Sequence, residues 1–172
     1  MLKVLFTGDC RLDGKHRKGI RDLFSLFPNY DLYVLNLETS IQMGSGEGVA
    51  QKSVPIAATL DDAKYLIRLI DPEKLLLNFA NNHVMDSGKN NFNMAFQWFE
   101  EQGAKGIRNG ENNLLRVGEY TLQFQALDLL SESNLPVIDV SSDSLSVALV
   151  HWGEEYVFAP SPYQQATAVN LM

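Results

Sequence analysis

Leu75-Leu-Leu-Asn-Phe-Ala-Asn-Asn-His83 is the stretch on which the fold reading turns. An apolar run of strand length breaks abruptly into three polar residues. The run, Leu75 to Ala80, reads as a strand buried on both faces, as in a parallel sheet. Asn81-Asn82-His83 has no packing purpose at such a position.

The same grammar recurs on either side. Leu2 to Thr7 is an apolar run ending at Gly8-Asp9, and Leu32 to Leu37 is another ending at Glu38. Between these runs lie helical stripes. Ile20, Leu23, Phe24 and Phe27 fall at i, i+3, i+4 and i+7, and Pro28-Asn29 stops them. Thr59 and Asp62 form a capping-box-like start for the face Ala63, Leu66, Ile67, Ile70. Phe92, Ala95, Phe96 and Phe99 make a third stripe closed by Gly103. Strand, helix, strand, helix, strand, helix implies a largely parallel sheet covered by helices.

The second half reads differently. Alternation from Arg116 to Leu127 around Gly118-Glu119 predicts a hairpin or strand pair, and Ser131 to Ser144 a polar loop. Leu145 to Val150 reads as a further buried strand ending at His151-Trp152-Gly153. Ser161-Pro162-x-Gln164 supplies an N-cap, a first-turn proline and a capping-box glutamine for a last helix. The 172 residues suffice for one domain, 1–172, with a substantial core.

Composition narrows the function. Net charge is −7, with a pI near 4.9, which argues against a broad nucleic-acid surface, since that needs a basic footprint. Phosphorylated substrates stay open, because a bound metal reverses the local field. The single cysteine, Cys10, excludes an intramolecular disulfide and fits a reducing compartment. The N-terminal apolar run is too short for a signal peptide, and no stretch reaches membrane-spanning length. The expectation is a cytoplasmic chain without a membrane anchor.

Four strands therefore end in groups able to hold a metal: Asp9, Glu38, Asn82-His83 and His151. Ligands in open α/β sheets bind outside the carboxyl ends of the strands, and parallel strands bring those ends to one edge. Mixed oxygen and nitrogen donors suit Mn, Fe or Zn. Each residue alone has an ordinary explanation. Gly8-Asp9 is a turn and helix cap, Glu38 a solvated strand end, and His151 a satisfied core histidine. Their recurrence at successive strand ends favours a site.

Gly8-Asp9, Asn36-Leu37-Glu38, Asn81-Asn82-His83-x-x-Asp86 and His151-Trp152-Gly153-x-Glu155-Tyr156, in that order, resemble the CapA-type family. That family is associated with capsule and poly-γ-glutamate synthesis and is similar in fold to calcineurin-like metallophosphoesterases. Lys52 after the glycine loop, the passage Gly103 to Gly110, and Pro160-Ser161-x-x-Gln164 extend the resemblance. It implies a layered metallophosphoesterase-like α/β fold, with a mixed, largely parallel sheet flanked by helices. It further implies a divalent metal held by Asp9, Glu38, Asn82 and His151, with His83 supporting the ligands or acting as general acid. Lys52 would hold an anionic substrate group, and Arg11 would face the site unless it is a solvated loop residue. Asp86 would either orient His83 or cap the next helix. Family members continue into a Gly-His-His-Pro-His-type segment that adds histidines, and no histidine follows His151 here. The resemblance thus implies a fold incomplete at its C-terminus, weak metal binding, and a need for self-association or a C-terminal partner. The substrate class it implies is an anionic polymer or a phosphorylated small molecule. A non-catalytic, truncated or split member acting as a binding subunit is the second reading.

Overall fold

The computed structural model describes residues 1–44, 55–130, 143–153, 157 and 159–171. Strands β1 (Val4–Cys10), β2 (Leu32–Leu37), β5 (Leu75–Asn78) and β6 (Lys105–Ile107) form a four-stranded parallel sheet in the order β1-β2-β5-β6. Helices α1 (Arg17–Leu26), α2 (Leu60–Leu69) and α3 (Lys89–Glu101) alternate with them along the chain. Strands β3 (Ser40–Gln42) and β4 (Ala57–Thr59) add a short parallel pair. Strands β7 (Asn112–Val117), β8 (Tyr120–Asp128) and β9 (Leu145–His151) form a second, three-stranded sheet. In it β7 runs antiparallel and β9 parallel to β8. Helix α4 (Pro162–Leu171) closes the described chain.

The apolar runs of β2 and β5 are continuous because their two faces pack against different layers. Tyr33, Leu35, Leu37, Leu75 and Leu77 point into the core shared with Ile20 and Phe24 of α1, Leu66 of α2, and Phe92, Phe96 and Phe99 of α3. Leu32, Val34 and Leu76 point the other way, onto Leu122, Phe124 and Ala126 of β8. The order is helices, parallel sheet, second sheet. The α/β class, the largely parallel pairing and the flanking helices are all present. The second face, however, is covered by a sheet, and the strands divide between sheets instead of forming one.

Local signals account for the ends of the elements. Thr59 and Asp62 make the full capping box at α2: Thr59 Oγ1 accepts from Asp62 N, and Asp62 Oδ2 accepts from Thr59 N at 2.9 Å. Ser161 and Gln164 do the same for α4. At the end of α3, Gly103 takes φ +95°, and the N–H groups of Gly103 and Ala104 bond to the carbonyls of Glu100 and Phe99. This is the left-handed exit a glycine makes at low cost. Gly118 (φ +61°) opens the two-residue turn that pairs Val117 with Tyr120. One reading is corrected. Strand β9 is half-exposed, with Leu145 57% accessible, because it is the edge strand of its sheet and not a buried interior strand. No helix among the described residues is long and apolar enough to cross a membrane.

Candidate metal centre

The site begins with a bulge. Phe6 pairs with Val34 and Asp9 with Asn36, so three steps along β1 oppose two along β2. Gly8 supplies the extra residue at φ +69°, where a side chain would be strained. The bulge re-aims the chain and sets Asp9 directly beside Asn36, whose Nδ2 donates to Asp9 Oδ1 at 2.5 Å.

Glu38 follows the last residue of β2, and His151 is the last residue of β9. These residues come from two different sheets. Asp9, Glu38 and His151 nevertheless each offer a ligand atom, and the three atoms lie within 4.8 Å of one another. His151 Nδ1 is 3.6 Å from Asp9 Oδ1, and Nε2 is 3.7 Å from Glu38 Oε1. Asn82 joins them, its Oδ1 being 3.0 Å from His151 Nε2. Two carboxylates, an imidazole and an amide oxygen are a hard-to-borderline donor set that suits a divalent cation. The acceptors also converge: Asn36 Nδ2, at 3.1 Å from His151 Nδ1 and 2.5 Å from Asp9 Oδ1, serves both.

The charges support one another. The His151 imidazole beside Asp9 holds that carboxyl below its ordinary range, with the Asn36 amide assisting against burial. Burial opposes protonation of His151, but Asp9, Glu38 and Asp128 outweigh it and raise its pKa. Cys10, next to Asp9, is buried. Desolvation, helped by the Asp9 charge, pushes its thiol up to about 12, so it sits as a packed neutral residue.

A network of amides fixes these groups. Asn36 Oδ1 accepts from Asn78 Nδ2 at 3.2 Å and from Asn81 Nδ2 at 3.1 Å. Asn81 Nδ2 also donates to Leu37 O, and its Oδ1 accepts from His83 N at 3.1 Å. The loop after β5 is thereby tied to the end of β2. His83 Nδ1 and Asp86 Oδ2 are 2.6 Å apart, both buried, and Asp86 Oδ2 also accepts from Ile56 N. Gly88, not Asp86, is the N-cap of α3, so of the two roles open to Asp86 the geometry matches the one at His83.

Arg11 is paired with Asp13, its Nε donating to Asp13 Oδ2 at 3.0 Å. Lys52 lies outside the described residues, as do Glu155 and Tyr156. Sequence reading assigned no role to Asn36, the hub of the network. The available signal was an amide inside an apolar strand, Leu35-Asn36-Leu37, where a buried polar group must be satisfied by a partner.

Residues 3–116 match the family described as Bacterial capsule synthesis protein PGA_cap. The match takes in Asp9, Glu38, Asn82, His83 and Asp86 and stops before His151. No curated protein matches the sequence. Among solved structures, a hypothetical protein from Thermus thermophilus is similar over 74% of this chain, at 17% identity and a TM-score of 0.43. The similar region is 45% of that protein, so this chain spans less than half of its length. With well over half of its residues matched, the chain belongs to the bacterial capsule synthesis protein PGA_cap family.

Proposed function

We propose that this protein is a metal-dependent hydrolase of the phosphoesterase type, working in capsule production on an anionic polymer or a phosphorylated precursor. The observation that carries the reading is the convergence of Asp9, Glu38 and His151 from strand ends of two sheets. Packing alone gives no reason to hold two carboxylates beside one imidazole. A bound Mn, Fe or Zn ion would supply Lewis acidity and lower the pKa of water at the site.

The chain's own residues have separable parts in this scheme. Asp9 and Glu38 provide negative charge, and His151 and Asn82 provide neutral donors. Asn36 holds Asp9 and His151 in register. Asp86 accepts from His83 Nδ1, which fixes the ring and leaves Nε2 as the atom that takes up or delivers a proton. Lys52 and Arg11 are the cations proposed to meet the substrate. For Arg11 this requires its pair with Asp13 to open.

The second reading is a family member that binds without cleaving. It is favoured by the size of the ligand group, three titratable residues among those described. Titration with Mn or Zn, together with a phosphodiesterase assay, separates the two. Metal-dependent turnover lost in both Asp9→Ala and His151→Ala supports the hydrolase. Metal binding without turnover supports the binding protein. Absence of metal binding removes the hydrolase.

A further inference from the structure

The cleft next to Asn82 contains a cation without a counter-ion among the described residues. It has a volume of about 400 Å³, and Phe79, Asn82, Met85, Arg108, Asn109 and Asp128 are among its lining. The Arg108 guanidinium lies over the Phe96 ring, 3.9 Å from its centroid, and 5.6 Å from that of Phe92. Arg108 makes no ion pair with any described carboxylate, and its Nε is buried without a hydrogen-bond partner. Two acids beside it are otherwise engaged: Glu111 Oε2 accepts from the backbone N–H of Arg108 at 2.8 Å, and Asp128 Oδ1, on a residue lining the same cleft, accepts from Leu130 N.

A buried, orphaned guanidinium N–H costs desolvation energy that ring stacking offsets only in part. Stacking also locks the planar fork, and such a fork matches the geometry of an oxyanion. The chain is acidic overall, which makes this unpaired arginine the more unusual. Its support is built in. A Cβ on Gly106 would lie 2.5 Å from Phe96 Cε2, so only glycine lets the ring lie against β6 and beneath Arg108.

The cleft and the metal-ligand group share a wall. Asn82 lines the cleft and contacts His151, while Asp128 is the register partner of His151 across β8 and β9.

We propose that this cleft is an oxyanion subsite, in which Arg108 holds a phosphate or carboxylate group of a substrate that reaches the Asp9–Glu38–His151 group. Its placement as a substrate subsite rests on the hydrolase reading, but anion binding at Arg108 does not require a metal.

The test therefore uses the full chain stripped of metal by a chelator. Inorganic phosphate and acetate are titrated separately, following the Arg108 Nε–H resonance by NMR. A saturable shift is expected for at least one anion, and the tighter of the two identifies the group recognised. Arg108→Gln, followed through the backbone amide resonances of the cleft residues Asn82 and Asn109, should weaken binding about tenfold or more. Met85→Glu, an exposed substitution at the cleft that spares the core, should weaken it several-fold. An Arg108 resonance unmoved by both anions overturns the proposal. So does a folded Arg108→Gln or Met85→Glu protein that binds as tightly as the parent. Mn titration of Asp9→Ala reports on the metal reading separately, and failure there leaves the anion result standing.

Discussion

Asn36 shows what a single residue does here. Its one amide serves Asp9 and His151 through nitrogen and Asn78 and Asn81 through oxygen. Asn36→Ala should lower metal affinity about 10- to 100-fold, the usual consequence of losing a group that orients ligands. It should also cost about 1–3 kcal/mol of stability by leaving buried amides short of partners. Metal titration and urea unfolding of the same variant measure the two effects. Gly106 is the second such position. In Gly106→Ala the new Cβ meets Phe96 at 2.5–2.7 Å, and displacing the ring should cost about 1–3 kcal/mol in chemical denaturation. Cys10 illustrates the converse. Its thiol, pushed up to about 12 and buried, should resist alkylation at about pH 8 until the protein unfolds, which a thiol-labelling time course with and without denaturant would reveal.

Helix α2 is where local chemistry and tertiary structure meet. Asp62 completes its capping box and also receives Arg17 of α1, whose Nε and Nη2 both reach Oδ1 at 2.7 Å. The Arg17 guanidinium lies over Tyr65, 5.3 Å from the ring centroid, so α1 and α2 are joined at one carboxylate. Burial works to raise the Asp62 pKa, but the Thr59 bonds and the Arg17 charge outweigh it and hold it below its ordinary value. A group depressed in the folded state stabilises above its unfolded pKa, and that stability is lost as pH falls through the folded value. Asp62→Asn should therefore cost about 2 kcal/mol at about pH 7 and progressively less below about pH 4, where the parent carboxyl also becomes neutral. Urea midpoints of the two proteins across that range test the sign. The capping boxes at Thr59 and Ser161 were legible in sequence because they are made within four residues. The exposure of β9 was not, since an apolar strand reads alike at a sheet's edge and at its centre.

The whole molecule rests on one sheet with two differently covered faces. Leu77 belongs to the core under the helices, and Phe124 to the core between the sheets; both are fully buried. Leu77→Ala should cost about 2–5 kcal/mol and Phe124→Ala about 3–5 kcal/mol. Because β2 and β5 contribute to both cores, each variant should lower a single unfolding transition and leave no separate second step. Calorimetry with coincident near- and far-UV signals would show this. The alternation of strands and helices was readable from periodicity. The layer on the far side was not, because Leu122, Phe124 and Ala126 of β8 meet Leu32, Val34 and Leu76 only by packing between residues far apart in sequence.

Residue order alone carried the α/β alternation, the polar strand ends and the choice of Asp9, Glu38, Asn82, His83 and His151 as residues of interest. Periodicity, caps and motifs are local, and a chain displays them before it folds. Three-dimensional packing was needed for His151, from the second sheet, to meet Asp9 and Glu38 from the first. The same packing placed Asn36 at the hub, turned Arg11 toward Asp13 and stacked Arg108 on Phe96 beside Asn82. The bulge at Gly8, the β8–β9 register and the contact between the sheets join residues distant in sequence, and no short window along the chain contains both partners.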